Sequence, residues 1–240
     1  MMFGLFFGDW TILILIPAMI FAMWAQINVQ STFKKYSRVS NARGLTGADA
    51  ARRILDANGL QHIRVEFVRG HLTDHYDPTA NVIRLSESVY GSTSAAAIGV
   101  AAHEAGHACQ HAVGYTPIKI RAAIIPITRV GSMLAMPLFL IGLLFGAGGS
   151  VGGMTGDILM LAGIVLFSFS TLFQLVTLPT EFNASSRALK VLSDGHYLAG
   201  DELDAAAKTL RAAALTYVAA LASSLASLLR LILIFNRRRN

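Results

Sequence analysis

Along this chain, long apolar runs alternate with stretches of ordinary polarity. Residues 3 to 25, "FGLFFGDWTILILIPAMIFAMWA", stay apolar for the length a bilayer crossing needs. No positive charge precedes the run and no small-residue cleavage site follows it, so it reads as an anchor rather than a signal peptide. Trp10 and Trp24 then fall near the two interfaces. Two further runs, 124 to 146 and 157 to 178, are joined by the uncharged "GAGGSVGG" and predict a tight transmembrane hairpin. A last run, 215 to 235, contains Arg230 and ends in "NRRRN". It reads either as a fourth crossing or as an interfacial helix.

The polar stretches have their own punctuation. "LTGADAARRILDANGL" predicts a short helix, with Thr46 at its N-cap, Asp49 three residues later and Gly59 as its stop. In "HIRVEFVRG", Ile63, Val65 and Phe67 alternate with Arg64 and Glu66, a strand with one buried face. "DHYDPTAN" is turn chemistry and "NVIRLS" a second short strand, giving a short β-hairpin. That second strand is a candidate edge on which an extended peptide can pair. A helix runs from Ser94 to about Gly114, a polar-faced helix covers 180 to 193, and a shorter one covers 201 to 212.

Composition agrees with the pattern. Hydrophobic residues make up 54% of the 240 positions and charged ones 14%, against roughly 25% charged in an ordinary soluble domain. The net charge of +6 sits beside apolar runs rather than among aromatics, which argues for membrane flanks and against nucleic acid. Lys34, Lys35, Arg38 and Arg43 follow the first run, and Lys119 and Arg121 precede the second. The excess places both polar segments in the cytoplasm. Cys109 is the only cysteine, so no intrachain disulfide can form.

The chemistry lies in "VAAHEAGHACQHAVGY". His103 and His107 stand four residues apart, about 6 Å along a helix and on one face, where two imidazoles can share a zinc ion. Glu104 is one residue on and can reach a zinc-activated water as general base without ligating the metal. His111 is about 12 Å along the axis from His103, too far for both to hold one ion. It reads as a polar or supporting residue at the helix end. A metzincin would need glycine at 110 and histidine at 113, where this chain has Gln110 and Val113. The third ligand must be a later carboxylate: Glu181, Glu202, Asp157, Asp194, Asp201 or Asp204. Asp157 is at the hairpin tip, and the 201 to 204 group reads as an ordinary acidic helix start. Glu181, just past Pro179 in an otherwise carboxylate-free stretch, is favoured over its reading as a solvated helix-start residue. For an oxyanion partner, His75, Tyr76 and Tyr217 are the candidates.

"GHLTDHYDP", "LSESVY", "AAHEAGHACQH", "LPTEFNASSRA" and "LTYVAA" occur in an order that resembles the YugP-type membrane zinc metallopeptidases over nearly the whole chain. The resemblance implies a neutral, gluzincin-like zinc peptidase with one zinc per chain, held by His103, His107 and Glu181, with Glu104 as base. Two positions depart from the expected pattern: Asn183 stands where an aspartate is expected, and Ser185 where related gluzincins often carry an acid. Both bear on what supports the ligands, not on the ligands.

The expected architecture is an α-helical integral membrane protein with 3–4 transmembrane helices and a small α+β, zincin-like catalytic part at the cytoplasmic face. It divides into an anchor (1–30), a catalytic part (31–122), a transmembrane hairpin (123–178), the third-ligand helix with its successor (179–213), and a C-terminal apolar helix with a basic tail (214–240). On this reading the protein sits in a bacterial-type plasma membrane and hydrolyses membrane or membrane-proximal proteins. Its partners are the lipid bilayer and a protein or peptide substrate, with a homo-oligomer or membrane partner left open. The competing readings are a scaffold with a structural zinc, and a site-2-type intramembrane protease. The latter takes its third ligand from an aspartate in a proline-rich span that this chain lacks.

Overall fold

The computed structural model describes residues 10–145 and 149–239. It is mostly helical, with a small mixed sheet. A 3-10 turn, Trp10–Ile14, leads into α1 (Leu15–Tyr36), followed by α2 (Gly47–Ala57) and strands β1 (Arg64–Val68), β2 (His75–Asp77) and β3 (Val82–Ser86). Helices α3 (Ala95–Ala112), α4 (Thr116–Phe145), α5 (Gly149–Asp194) and α6 (Asp201–Arg239) complete the chain. Among the described residues, four helical stretches are long and apolar enough to cross a membrane: Trp10–Tyr36, Thr116–Phe145, Gly153–Asp194 and Asp201–Arg238. The start of the expected anchor, 3 to 9, and the linker centre, 146 to 148, lie outside the described residues.

The chain forms two compact units. One comprises Ala25–Lys119 and Pro179–Thr216. Its core is built around α3, whose Ala95, Ala96, Ala97, Ile98, Ala101, Ala102, Ala105 and Ala108 are all buried. Small side chains let neighbouring backbones come close. Ser94 caps this helix by accepting from the Ala97 N–H at 3.2 Å. On α2, Thr46 and Asp49 form the reciprocal capping box that the sequence predicts. The Thr46 hydrogen bonds hold the Asp49 carboxyl below its ordinary range.

The sheet departs from the expected hairpin. Its order is β1-β3-β2, with β1 and β3 parallel and β2 and β3 antiparallel. The two strands predicted from the sequence are therefore parallel neighbours, and the hairpin is made by β2, read from the sequence only as a turn. "HYD", flanked by Asp74 and Pro78, is too short and polar to show a period of two. β3 is the central strand rather than an edge. Val82, Ile83 and Leu85 are all buried, the near-continuous apolar run of a strand covered on both faces. Phe67, assigned to the buried face, is 50% exposed on the edge strand β1, with its ring edge-on to Tyr90 at 5.9 Å.

The second unit comprises Met1–Trp24, Ile120–Leu178 and Tyr217–Asn240. Phe139, Met160, Ile164, Leu231 and Ile234 form its buried cluster, so α4, α5 and α6 pack together. Gly163 makes this possible, because a Cβ there would fall 2.7 Å from the Ala135 carbonyl oxygen. Of the last apolar run, the structure includes residues 217–235 in this bundle, and it buries Arg230 at 6% exposure. Arg238 donates to the Gly142 carbonyl at 3.0 Å and the Gly153 carbonyl at 3.3 Å, and pairs with Asp157 at 3.4 Å. The end of α6 thus lies at the hairpin end of α4 and α5. Two expected separations are absent. α5 continues without a break from the apolar run through Pro179 to Asp194, and α6 likewise joins 201–212 to the last apolar run.

Candidate metal centre

α3 presents His103 and His107 on one face, their rings edge-to-face at 4.7 Å. The portion of α5 after Pro179 brings Glu181 against them. Its Oε2 lies 3.1 Å from His103 Nε2 and 3.2 Å from His107 Nε2. The two helices approach so closely because of Gly106, where a Cβ would sit 2.8 Å from the Ala184 carbonyl oxygen. Among the described residues these three side chains form the one group able to offer a metal three donors, all within 4.8 Å of one another. Glu181 is 2% exposed, and Glu104 and His107 are 9% exposed.

The donors fit zinc in type and spacing. Two imidazole nitrogens and a carboxylate oxygen are the set of a three-ligand catalytic site, with the fourth position left to water or substrate. A tetrahedron with bonds of about 2.05 Å has edges of about 3.3 Å, close to the two contacts that Glu181 makes. The tautomer supports the same conclusion. Gln110 Nε2 donates to the Thr180 carbonyl at 2.8 Å and to Asn183 Oδ1 at 2.9 Å, which commits both amide protons. Its Oε1 therefore faces His107 Nδ1, 2.9 Å away, and that nitrogen must donate. His107 Nε2 therefore faces a carboxylate oxygen, a contact that is satisfied by positive charge, either a proton on that nitrogen or a metal ion between the two. Burial works against charge on His107, but the Glu181 hydrogen bond and the Glu104 charge outweigh it, moving its pKa above the ordinary histidine value.

Glu104 is held from the sheet. Its Oε2 accepts the Tyr76 backbone N–H at 2.9 Å, on the side of β2 away from β3. The start of β2 is fixed by Asp74, which accepts from the Ser86 N–H at 2.7 Å and from the Ser86 hydroxyl. Burial pushes the Asp74 carboxyl up from its ordinary range; the Ser86 donors pull against this and the Glu104 charge adds to it.

The other candidates are distributed differently. Tyr76 touches Glu104 through its backbone, while its ring meets the His111 ring edge-on at 5.5 Å. The exposed His75 turns its Nδ1 to the Thr73 carbonyl at 2.9 Å and its Nε2 to Arg84 at 3.4 Å. Tyr217 belongs to the other unit. Glu202 accepts the Ala42 N–H at 2.7 Å, and Asp204 pairs with Lys208, so neither takes part in the cluster. Sequence reasoning gave no role to Gln110, which lies three residues from His107 on the same helix face. It flagged Asn183 and Ser185 only as departures. Ser185 Oγ lies 3.1 Å from His103 Nδ1, and Asn183 Oδ1 accepts from both Gln110 and Arg187 Nε.

The family described as "Putative neutral zinc metallopeptidase" matches residues 11–236. The chain is 48% identical to the "Putative membrane protease YugP" of Bacillus subtilis (strain 168) over 229 residues, 95% of this chain and 98% of that protein. No solved structure matches it.

Proposed function

The chain belongs to the family described as "Putative neutral zinc metallopeptidase", and from that premise we propose that it is a membrane-bound, gluzincin-like zinc endopeptidase with its active site facing the cytoplasm. The observation that carries the reading is the convergence of His103, His107 and Glu181, with Glu104 one residue along the same helix. His103, His107 and Glu181 would hold the zinc ion, which when bound would supply polarisation of a scissile carbonyl and acidification of the attacking water. Glu104 takes the proton from that water and passes it to the leaving amine nitrogen. Tyr76 fixes the carboxylate through its N–H. With β3 at the centre of the sheet, an extended peptide would pair along an outer edge strand rather than along β3. Three protein ligands suit catalysis better than a closed structural site, which usually has four.

Short tethers favour substrates at the bilayer. Glu181 follows the apolar run ending at 178 by three residues, so membrane proteins and membrane-proximal segments are the proposed substrates. Stripping zinc from the detergent-purified chain with a chelator is expected to abolish cleavage of an unfolded test protein. Zinc, but not magnesium, should restore it; full activity after complete metal removal would refute the zinc mechanism.

The orientation rests on charge. Lys34, Lys35, Arg38, Arg43, Lys119 and Arg121 outnumber the three tail arginines, and Arg238 is already paired with Asp157. The cytoplasmic side therefore takes the larger cluster. A protease-sensitive tag after Asn240 should be removed from the outside of intact cells. Removal only after lysis would reverse the topology.

A further inference from the structure

Among the described residues, the partners at Nδ1 of the two candidate ligand imidazoles are neutral. His107 Nδ1 faces the Gln110 side-chain carbonyl at 2.9 Å, and His103 Nδ1 faces the Ser185 hydroxyl at 3.1 Å. Gln110 is fully buried, so water does not compete for the bond. Donating both amide protons polarises its carbonyl and strengthens it as an acceptor. Beyond Gln110, Asn183 Oδ1 also takes the Arg187 Nε–H at 2.8 Å, and the Arg187 guanidinium stands 6.0 Å over the Tyr115 ring. The chain of contacts from His107 therefore runs through two neutral amides and ends on a cation.

A carboxylate at Nδ1 draws the ring proton toward itself, makes the imidazole more basic and strengthens its bond to a metal. An amide or hydroxyl does this less, and a guanidinium at the far end pulls electron density the other way. Resting on the zinc site proposed above, we infer that Gln110 and Ser185 are positioning residues that orient both imidazoles through neutral partners at Nδ1, in place of the carboxylate that would strengthen their bonds to a metal. The site therefore holds zinc less tightly than a carboxylate-backed one and leaves the ion more electron-poor. Gln110 also fixes the His107 tautomer and ties α3 to the ligand-bearing turn of α5. Ser185, partly exposed, is the position where a charge can be added without disturbing the core.

The test is the zinc affinity of the full-length chain in detergent, measured by competition with a chromophoric chelator. Ser185→Asp is expected to bind zinc about 10-fold more tightly than wild type, and Ser185→Ala several-fold more weakly. Gln110→Met should bind it about 10- to 100-fold more weakly with unchanged helical circular dichroism. Its cobalt-loaded form should also show altered visible bands, as expected for a reoriented imidazole. If both Ser185 variants match wild type, or Ser185→Asp binds more weakly, the inference about neutral partners is overturned while the zinc site stands. A wild-type chain that takes up no zinc overturns the site itself.

Discussion

Glu104→Gln is expected to keep one zinc per chain and to lose hydrolysis, with turnover falling about 10²- to 10⁴-fold. The geometry separates the two properties. Glu104 is not among the three converging donors, and its Oε2 is occupied by the Tyr76 N–H at 2.9 Å. A glutamine has the same shape and can accept that N–H through its amide oxygen, so the helix and the edge of β2 keep their positions. What it lacks is a basic carboxylate to take a proton from water. Metal analysis alongside cleavage of an unfolded reporter checks both halves. Cleavage within a few-fold of wild type would remove Glu104 from its role as base, and loss of zinc would make it a ligand. Comparing the proteomes of membranes carrying wild type and Glu104→Gln would then identify substrates as proteins that accumulate in the variant.

Glu181→Ala should fail in the opposite order, losing the metal first and activity as a consequence. The carboxylate is nearly fully buried and contacts both Nε2 atoms. Its removal leaves two imidazoles, which cannot hold zinc in a three-ligand site. The affinity loss should exceed the roughly 10- to 100-fold typical of losing an outer partner. Helical content should persist, because an isolated buried carboxylate costs stability unless a positive charge compensates it. Unchanged zinc content in the purified variant would eliminate Glu181 as the third ligand. An inactive variant with metal and an inactive variant without it together assign the two glutamates their separate roles.

The cluster of His103, His107 and Glu181 was legible because its determinants are local or chemically rare. His103, Glu104 and His107 lie within one turn and a half of helix, and carboxylates are scarce enough after residue 107 for Glu181 to stand out. The four apolar stretches were legible because twenty-residue hydrophobic runs have few other uses. Strand order was not, because pairing is a long-range property. Val82 to Ser86 reads as a strand, but nothing local states whether it lies at the edge or centre. The apolar run 157 to 178 and the polar-faced helix 180 to 193 read as separate elements because their composition changes, yet the residues around Pro179 stay helical despite the missing N–H. Gln110 was invisible for another reason: its partners, Thr180 and Asn183, lie seventy residues away and carry no periodic signal.

The close approach at Gly106 also bears on which ions the centre can accept. With the Ala184 carbonyl where a side chain would begin, the two donor-bearing helices have no slack to move together. Calcium requires six to eight oxygens at about 2.3–2.6 Å, and this cage offers two nitrogens and one carboxylate on a stiff frame. If the centre holds a metal, the contact that brings Glu181 within reach of both imidazoles would favour a small ion that accepts nitrogen ligands over a large one that needs many oxygens.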